Sequence, residues 1–155
     1  MTLYLVRHAS AGERARWKGD DRSRPLDERG RDQAAWLADL LGPHPIARVL
    51  SSPYERCRQT VEPLATRLGL LVVDDQALAE GASVPAARAL VGVLASAGAD
   101  AVLCSHGDVI PDLLDVLSDE DVPLVGKRAV AKGSVWRLDV RDGRIVRGVY
   151  VPPGW

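Results

Sequence analysis

The run LVRHASAG, Leu5 to Gly12, carries a short apolar segment straight into an arginine, a histidine and a string of small residues. Two other apolar runs end in the same manner. Ala47 to Leu50 leads through Ser51 and Ser52 to Arg56, and Ala101 to Cys104 runs into Ser105, His106 and Gly107. An imidazole can attack phosphorus or carry a proton, a guanidinium offers phosphoryl oxygens a planar fork of donors, and small residues let backbone approach a ligand closely. If the three runs are parallel strands of one sheet, their carboxyl ends face one crevice, where open α/β sheets bind ligands. A helix starting after His106 would add unpaired N–H groups there. A phosphoryl group is the natural guest of such a crevice.

The rest of the chain supplies the elements that such a crevice needs. Leu3 to Val6 reads as a buried strand, followed by a polar loop from Ser10 to Pro25. Asp27 can cap a helix from Glu28 with Ala34, Leu37 and Leu41 on one face, ending before Gly42-Pro43. After the second strand, SSPYE reads as a helix start with Ser52 as N-cap, Pro53 at the first helical position and Glu55 three residues past the cap. Cys57, Val61, Leu64 and Leu68 make its inner face, Pro63 is expected to kink it, and Gly69 closes it. Leu71 to Val73 forms a third strand. Ser83 caps a helix with Ala87, Leu90, Val91 and Leu94 inward, stopped by Gly98. Ala101 to Cys104 is the fourth strand, and Ile110, Leu113, Leu114 and Leu117 define a further helix. Ser134 to Val140 and Ile145 to Val151, joined by the turn RDG, read as an antiparallel hairpin. Strands alternating with helices predict a three-layer α/β/α sandwich with a mostly parallel, mixed sheet.

A chain of 155 residues that is 46% hydrophobic predicts one domain over residues 1–155. A net charge of -1 argues against a dedicated nucleic-acid binder, which would carry a basic excess. Cys57 and Cys104 are too few for a disulfide scaffold and are expected as reduced thiols packed as small apolar groups. With no apolar stretch of transmembrane length and no basic leader, a soluble, cytoplasmic protein without a membrane partner is expected. The three histidines lack ligand-spaced companions for zinc, CSHGD lacks the elbow spacing of a serine hydrolase, and there is no phosphate-binding glycine loop.

The blocks LVRHA, RPLDERG, SSPYERCRQT and SHG together resemble, over nearly the whole chain, the histidine phosphatase superfamily with its phosphoglycerate mutase-like fold. The resemblance extends to the small SixA-type phosphohistidine phosphatases and to the phosphatase half fused behind Nudix hydrolases, whose loop is similar to WKGDDRSRPLDERG here. It implies that His8 is a nucleophile, that Arg7, Arg56 and His106 clamp the phosphoryl oxygens, and that an acid beyond the third strand protonates the leaving group. Glu80 falls there, with Asp74, Asp75 and Asp108 as rivals. Ala9 stands where the family more often has glycine, and it keeps the turn small. The resemblance implies no metal and no cofactor.

Physical roles accompany the analogy. His8 must be neutral to attack, and adjacent guanidinium charges are expected to lower its pKa. The acid must hold a proton when substrate is bound, a form that a nearby phosphate dianion favours. Arg58, two residues beyond Arg56, points to another helix face and is read as structural. Ser10 and Gly107, beside the two histidines, are candidate substrate contacts. On the mixed-charge loop, Arg14, Lys18 and Arg22 could hold further phosphates, Trp17 could stack on a base, and Lys132 in AKGSVW could reach a distal phosphate. The expected substrate is a phosphorylated small molecule, a nucleotide or a phosphohistidine protein. Because the loops are too short to seal a site, hydrolysis is favoured over mutase-type transfer. A silent phospho-ligand binding module is the other alternative.

Overall fold

The computed structural model describes residues 1–154. Its strands are β1 (Thr2–Arg7), β2 (Ile46–Ser51), β3 (Val72–Asp74), β4 (Asp100–Ser105), β5 (Leu124–Val125), β6 (Val135–Arg141) and β7 (Arg144–Val151). The helices are α1 (Glu28–Leu41), α2 (Glu55–Leu68), α3 (Val84–Ser96) and α4 (Val109–Asp119). The strands form one sheet in the order β3-β2-β4-β1-β6-β7-β5. β3, β2, β4 and β1 run parallel, and β6 joins β1 antiparallel.

Alternation along the strands explains the layers. Leu3 and Leu5 of β1 and Ala101 and Leu103 of β4 pack with Val91, Leu94, Ile110 and Leu113 of α3 and α4. Tyr4, Val6, Val102 and Cys104 face the other way, against Leu37, Leu41, Cys57, Val61 and Leu64 of α1 and α2. Successive residues of a central strand thus serve opposite layers, which gives the mixed-sheet α/β/α sandwich. The β6–β7 turn takes positive φ at Asp142 (52°) and Gly143 (74°), the conformation that a two-residue hairpin requires.

Local readings differ from the structure in instructive places. Ser52 does not cap α2: the helix starts at Glu55 after Tyr54, which offers no side-chain cap. The Ser52 hydroxyl is engaged elsewhere, 2.8 Å from His106 Nε2. Helix α2 runs through Pro63 without a break. The third strand lies one residue later than Leu71 to Val73, and Leu71 is exposed. β5 has no counterpart in the sequence reading, since its two residues are strand only through pairing with Gly148 and Val149.

Asp27 does cap α1, accepting from Gly30 N at 2.7 Å through one carboxylate oxygen. Its other oxygen accepts from the Ser10 hydroxyl at 2.7 Å and from Gly12 N at 3.0 Å, so one carboxylate ties the helix start to the loop after β1. That contact needs a glycine at position 30, where a Cβ would lie 1.9 Å from the Ser10 carbonyl oxygen. Gly30→Ala is therefore expected to cost about 2–3 kcal/mol through forced separation of helix and loop. Thermal unfolding checks this: a midpoint several degrees lower is expected, and a midpoint unchanged from wild type would refute it.

Candidate active site

The carboxyl ends of β1, β2 and β4 open into a cavity of about 600 Å³ lined by Arg7, His8, Arg14, Arg24, Arg56, Glu80, His106, Gly107 and Lys132, among others. His8 follows β1 and is held by its own N–H, which donates to the Ser105 carbonyl at 3.0 Å. Its Nδ1 lies 2.8 Å from the Ala9 carbonyl oxygen, an acceptor only, so Nδ1 carries the ring proton and Nε2 keeps a free lone pair. Burial, with smaller repulsion from His106, Arg56 and Arg7, outweighs the Ala9 hydrogen bond and lowers the His8 pKa to about 3. The imidazole is neutral at pH 7, as the sequence reading required. The dominant cause is desolvation, not the guanidinium charges expected from it.

His106 packs edge-on to His8, ring centroids 5.4 Å apart, and edge-on to Tyr54 at 4.8 Å. The Ser52 hydroxyl accepts from Tyr54 N and lies 2.8 Å from His106 Nε2, with Cys57 Sγ 3.4 Å from the same nitrogen. His106 Nδ1 is a buried atom with no partner in the protein. Arg7 donates through Nη1 to the Val130 carbonyl at 2.6 Å, and its buried Nε is likewise unpartnered. Gly107 lets this guanidinium lie flat, because a Cβ there would fall 2.7 Å from Arg7 Cζ. Arg56, 1% exposed, has its Cζ 4.9 Å from the Tyr54 ring centroid, and its Nε too is buried without a partner in the protein.

Glu80 reaches the cavity from beyond β3, 2.6 Å from Arg14 Nη2 and 3.7 Å from Arg56 Nη2. Of its rivals, Asp74 pairs with Arg58 and Asp75 accepts from Ala77 N, and neither lines the cavity, whereas Asp108 does line it while accepting from Gly81 N and Val109 N. Lys132 lines the cavity, and burial, then repulsion from Arg7 and Arg24, lowers its pKa despite Asp27. Ser10, Lys18 and Arg22 do not line it. Ser10 spends its hydroxyl on Asp27, and Arg22 lies over the outer face of the site, 5.4 Å from the Tyr54 ring centroid. Two residues absent from the sequence reading of the site stand here. Arg24, 7% exposed, lines the cavity and donates to the Ala11 carbonyl at 2.6 Å, and Asp21 holds it in place. Their spacing of three residues was the available signal. A mixed-charge loop hides it, because such loops are ordinarily solvated. Among the described residues, no cluster of three or more metal-ligating side chains occurs and no helix is long and apolar enough to cross a membrane.

A crevice of two histidines and several arginines at the carboxyl ends of a parallel sheet defines an α/β enzyme of phosphoryl groups. Residues 3–83 match the family model of the histidine phosphatase superfamily (branch 1). The chain belongs to the histidine phosphatase superfamily. It is 37% identical to an 8-oxo-(d)GTP phosphatase of Mycolicibacterium smegmatis, with 98% of this chain aligned, and it spans about half of that protein (48%). The fold resembles that of the protein histidine phosphatase SixA complexed with tungstate (TM-score 0.76, 22% identity, 98% of this chain and 95% of that one). It also resembles a mycobacterial glucosyl-3-phosphoglycerate phosphatase (TM-score 0.74, 19% identity, 97% of each chain).

The buried, neutral His8 has a consequence for stability. In the unfolded chain the ring takes up a proton below about pH 6.5, whereas in the folded chain it does so only near pH 3. Between these values the unfolded state binds the extra proton, so His8 makes stability fall as pH falls, by about 1.4 kcal/mol per pH unit near pH 5. Urea unfolding of wild type and His8→Asn from pH 7 to pH 4 is expected to show a shallower decline in the variant. Equal slopes would mean that burial does not hold this ring neutral.

Proposed function

We propose that residues 1–155 act as one phosphatase domain through a phosphohistidine on His8. The observation that carries this reading is the free lone pair of a neutral, fixed imidazole in a cavity that Arg7, Arg56 and His106 also line. In the first step His8 Nε2 bonds to phosphorus as the bond from phosphorus to the leaving oxygen breaks. That oxygen takes a proton from Glu80. The donors of Arg7, Arg56 and His106 bind the equatorial oxygens, where charge concentrates in an in-line displacement. In the second step water attacks phosphorus, gives its proton to the Glu80 carboxylate, and the N–P bond breaks to release phosphate and neutral His8. Arg14 is paired with the Glu80 carboxylate in the resting site, so an arriving phosphoryl group competes for Arg14, and a monoanionic group brings the proton that Glu80 takes up before it acts as the acid.

The substrate we infer within this class is a nucleotide, acted on in the cytoplasm. A second cavity of about 440 Å³ shares Gly12, Glu13 and Arg24 with the first and is lined by Trp17, Pro25 and Leu26. The Trp17 indole N–H is pinned to the Asp20 carbonyl at 2.8 Å while the side chain stays partly exposed, which suits stacking on a base. The nucleotide named for the mycolicibacterial relative supports the same class.

The test compares wild type with His8→Ala on glycerol phosphate and on a β-labelled nucleoside diphosphate, with a chelator present. Chelator-resistant release and an acid-labile labelled protein are expected, both reduced about 1000-fold or more in His8→Ala. Undiminished release by that variant would overturn the nucleophile assignment. A requirement for a bisphosphorylated primer would favour mutase-type transfer. For the base site, Trp17→Ala is expected to raise KM about tenfold for the nucleoside diphosphate and leave KM for glycerol phosphate unchanged, since stacking contributes roughly 1–3 kcal/mol. Equal effects on both substrates would count against a nucleotide.

A further inference from the structure

The guanidinium clamp has a support of its own. Asp21 Oδ2 lies 3.1 Å from Arg56 Nη2 and 3.2 Å from Arg14 Nη2, and Oδ1 accepts from Arg24 Nε at 3.0 Å. The Asp21 backbone oxygen also accepts from Arg56 Nη1 at 2.8 Å. All three arginines line the cavity, but Asp21 does not. Burial pushes the Asp21 pKa up, yet the Arg24 hydrogen bond and the charges of Arg56, Arg14 and Arg24 outweigh it and hold the carboxyl below its usual range.

We propose that Asp21 is a positioning residue that fixes the plane of Arg56 and the reach of Arg14 and Arg24 for phosphoryl transfer, a role that rests on the phosphatase reading of this cavity. A guanidinium has five N–H donors. Arg56 gives one from each terminal nitrogen to Asp21, which leaves one donor on each terminal nitrogen for oxygens in the cavity that it lines. Without Asp21 the same charge remains, and its direction is lost. Arg56 stands on the first turn of α2 and Asp21 on a short 3-10 turn, Asp21–Ser23, so the anchor joins two elements 35 residues apart.

Charge and direction predict opposite effects, and this separates positioning from mere structural support. Removing the Asp21 charge makes the cavity more positive, so resting phosphate binds as well as before or better. Misdirecting the donors weakens the transition state, which alone needs them on the equatorial oxygens. Collapse of the loop would instead weaken both.

The experiment measures the single-turnover rate of phosphoenzyme formation and inhibition by inorganic phosphate in the full chain for wild type, Asp21→Asn and Asp21→Glu, with thermal unfolding of each. Asp21→Asn is expected to slow phosphoenzyme formation by about 10- to 100-fold while the phosphate inhibition constant stays level or falls. Asp21→Glu, which keeps the charge and displaces the carboxylate, is expected to regain part of the rate. Should the asparagine form not fold, the glutamate form carries the same comparison of rate against phosphate inhibition. An unchanged rate, or parallel losses of rate and phosphate affinity, would overturn the proposal. Failure of the phosphatase reading is separate: with no phosphoenzyme in any form, a drop in steady-state phosphate release at unchanged phosphate inhibition would still support Asp21 and would displace His8.

Discussion

A guanidinium removed from water must find acceptors for five donors, and the crevice is organised around arginines that find only some of them inside the protein. Arg7 is tied to the Val130 carbonyl, Arg24 to the Ala11 carbonyl and Asp21, and Arg56 to Asp21 through both terminal nitrogens. Each bond fixes a direction for the donors left over. Those at Arg7 Nε and Arg56 Nε are buried without a partner in the protein. Acceptors built into the fold therefore orient the guanidinium groups that line the crevice.

The same economy governs the imidazoles. The ring of His8 is held by a bond to the next residue's carbonyl, so its tautomer is set by local backbone, while its neutrality comes from burial under the loop after β1. Burial and anchoring make opposite demands, because the Ala9 hydrogen bond favours the protonated ring. Desolvation prevails, and the result is an imidazole that stays unprotonated well below neutral pH. The ring of His106 is fixed from the other side, by the Ser52 hydroxyl, which is the bond that removes Ser52 from the start of α2.

Much of this was legible in the chain because it is encoded locally. Apolar runs ending in Arg7-His8 and Ser105-His106 gave the strands and their functional ends, and Asp27 before Glu28 gave the start of α1. What the sequence did not disclose depends on contacts between distant segments. Ser52 reads as a cap until His106, 54 residues away, is brought beside it. β5 consists of two residues whose strand conformation exists only through pairing with β7. Arg24 and Asp21 lie in a loop whose alternating charges look solvated, and their importance arises from Arg56 on another element. The cause of the His8 pKa was misjudged for the same reason: neighbouring charges can be read along a chain, whereas burial cannot.

The loop from Ser10 to Leu26 then has a physical explanation that its composition conceals. It is short of apolar residues, and only Ala11 and Leu26 of it join Ala9 and Ala34 in a small core beneath. Its order comes from polar ties at both ends: Asp27 gathers Ser10, Gly12 and the start of α1, Gln59 accepts from Leu26 N, and Asp21 gathers the arginines. Such a segment is held by the charges it surrounds rather than by a core of its own, which places its local stability at the low end of the fold. Binding an anion at the clamp draws on the same arginines that Asp21 and Glu80 now hold, so loop order and ligand occupancy are linked through shared donors. Arg14 and Arg24 of this loop are thus read best as one network that faces inward through Asp21, with Arg16, Lys18 and Arg22 outside it.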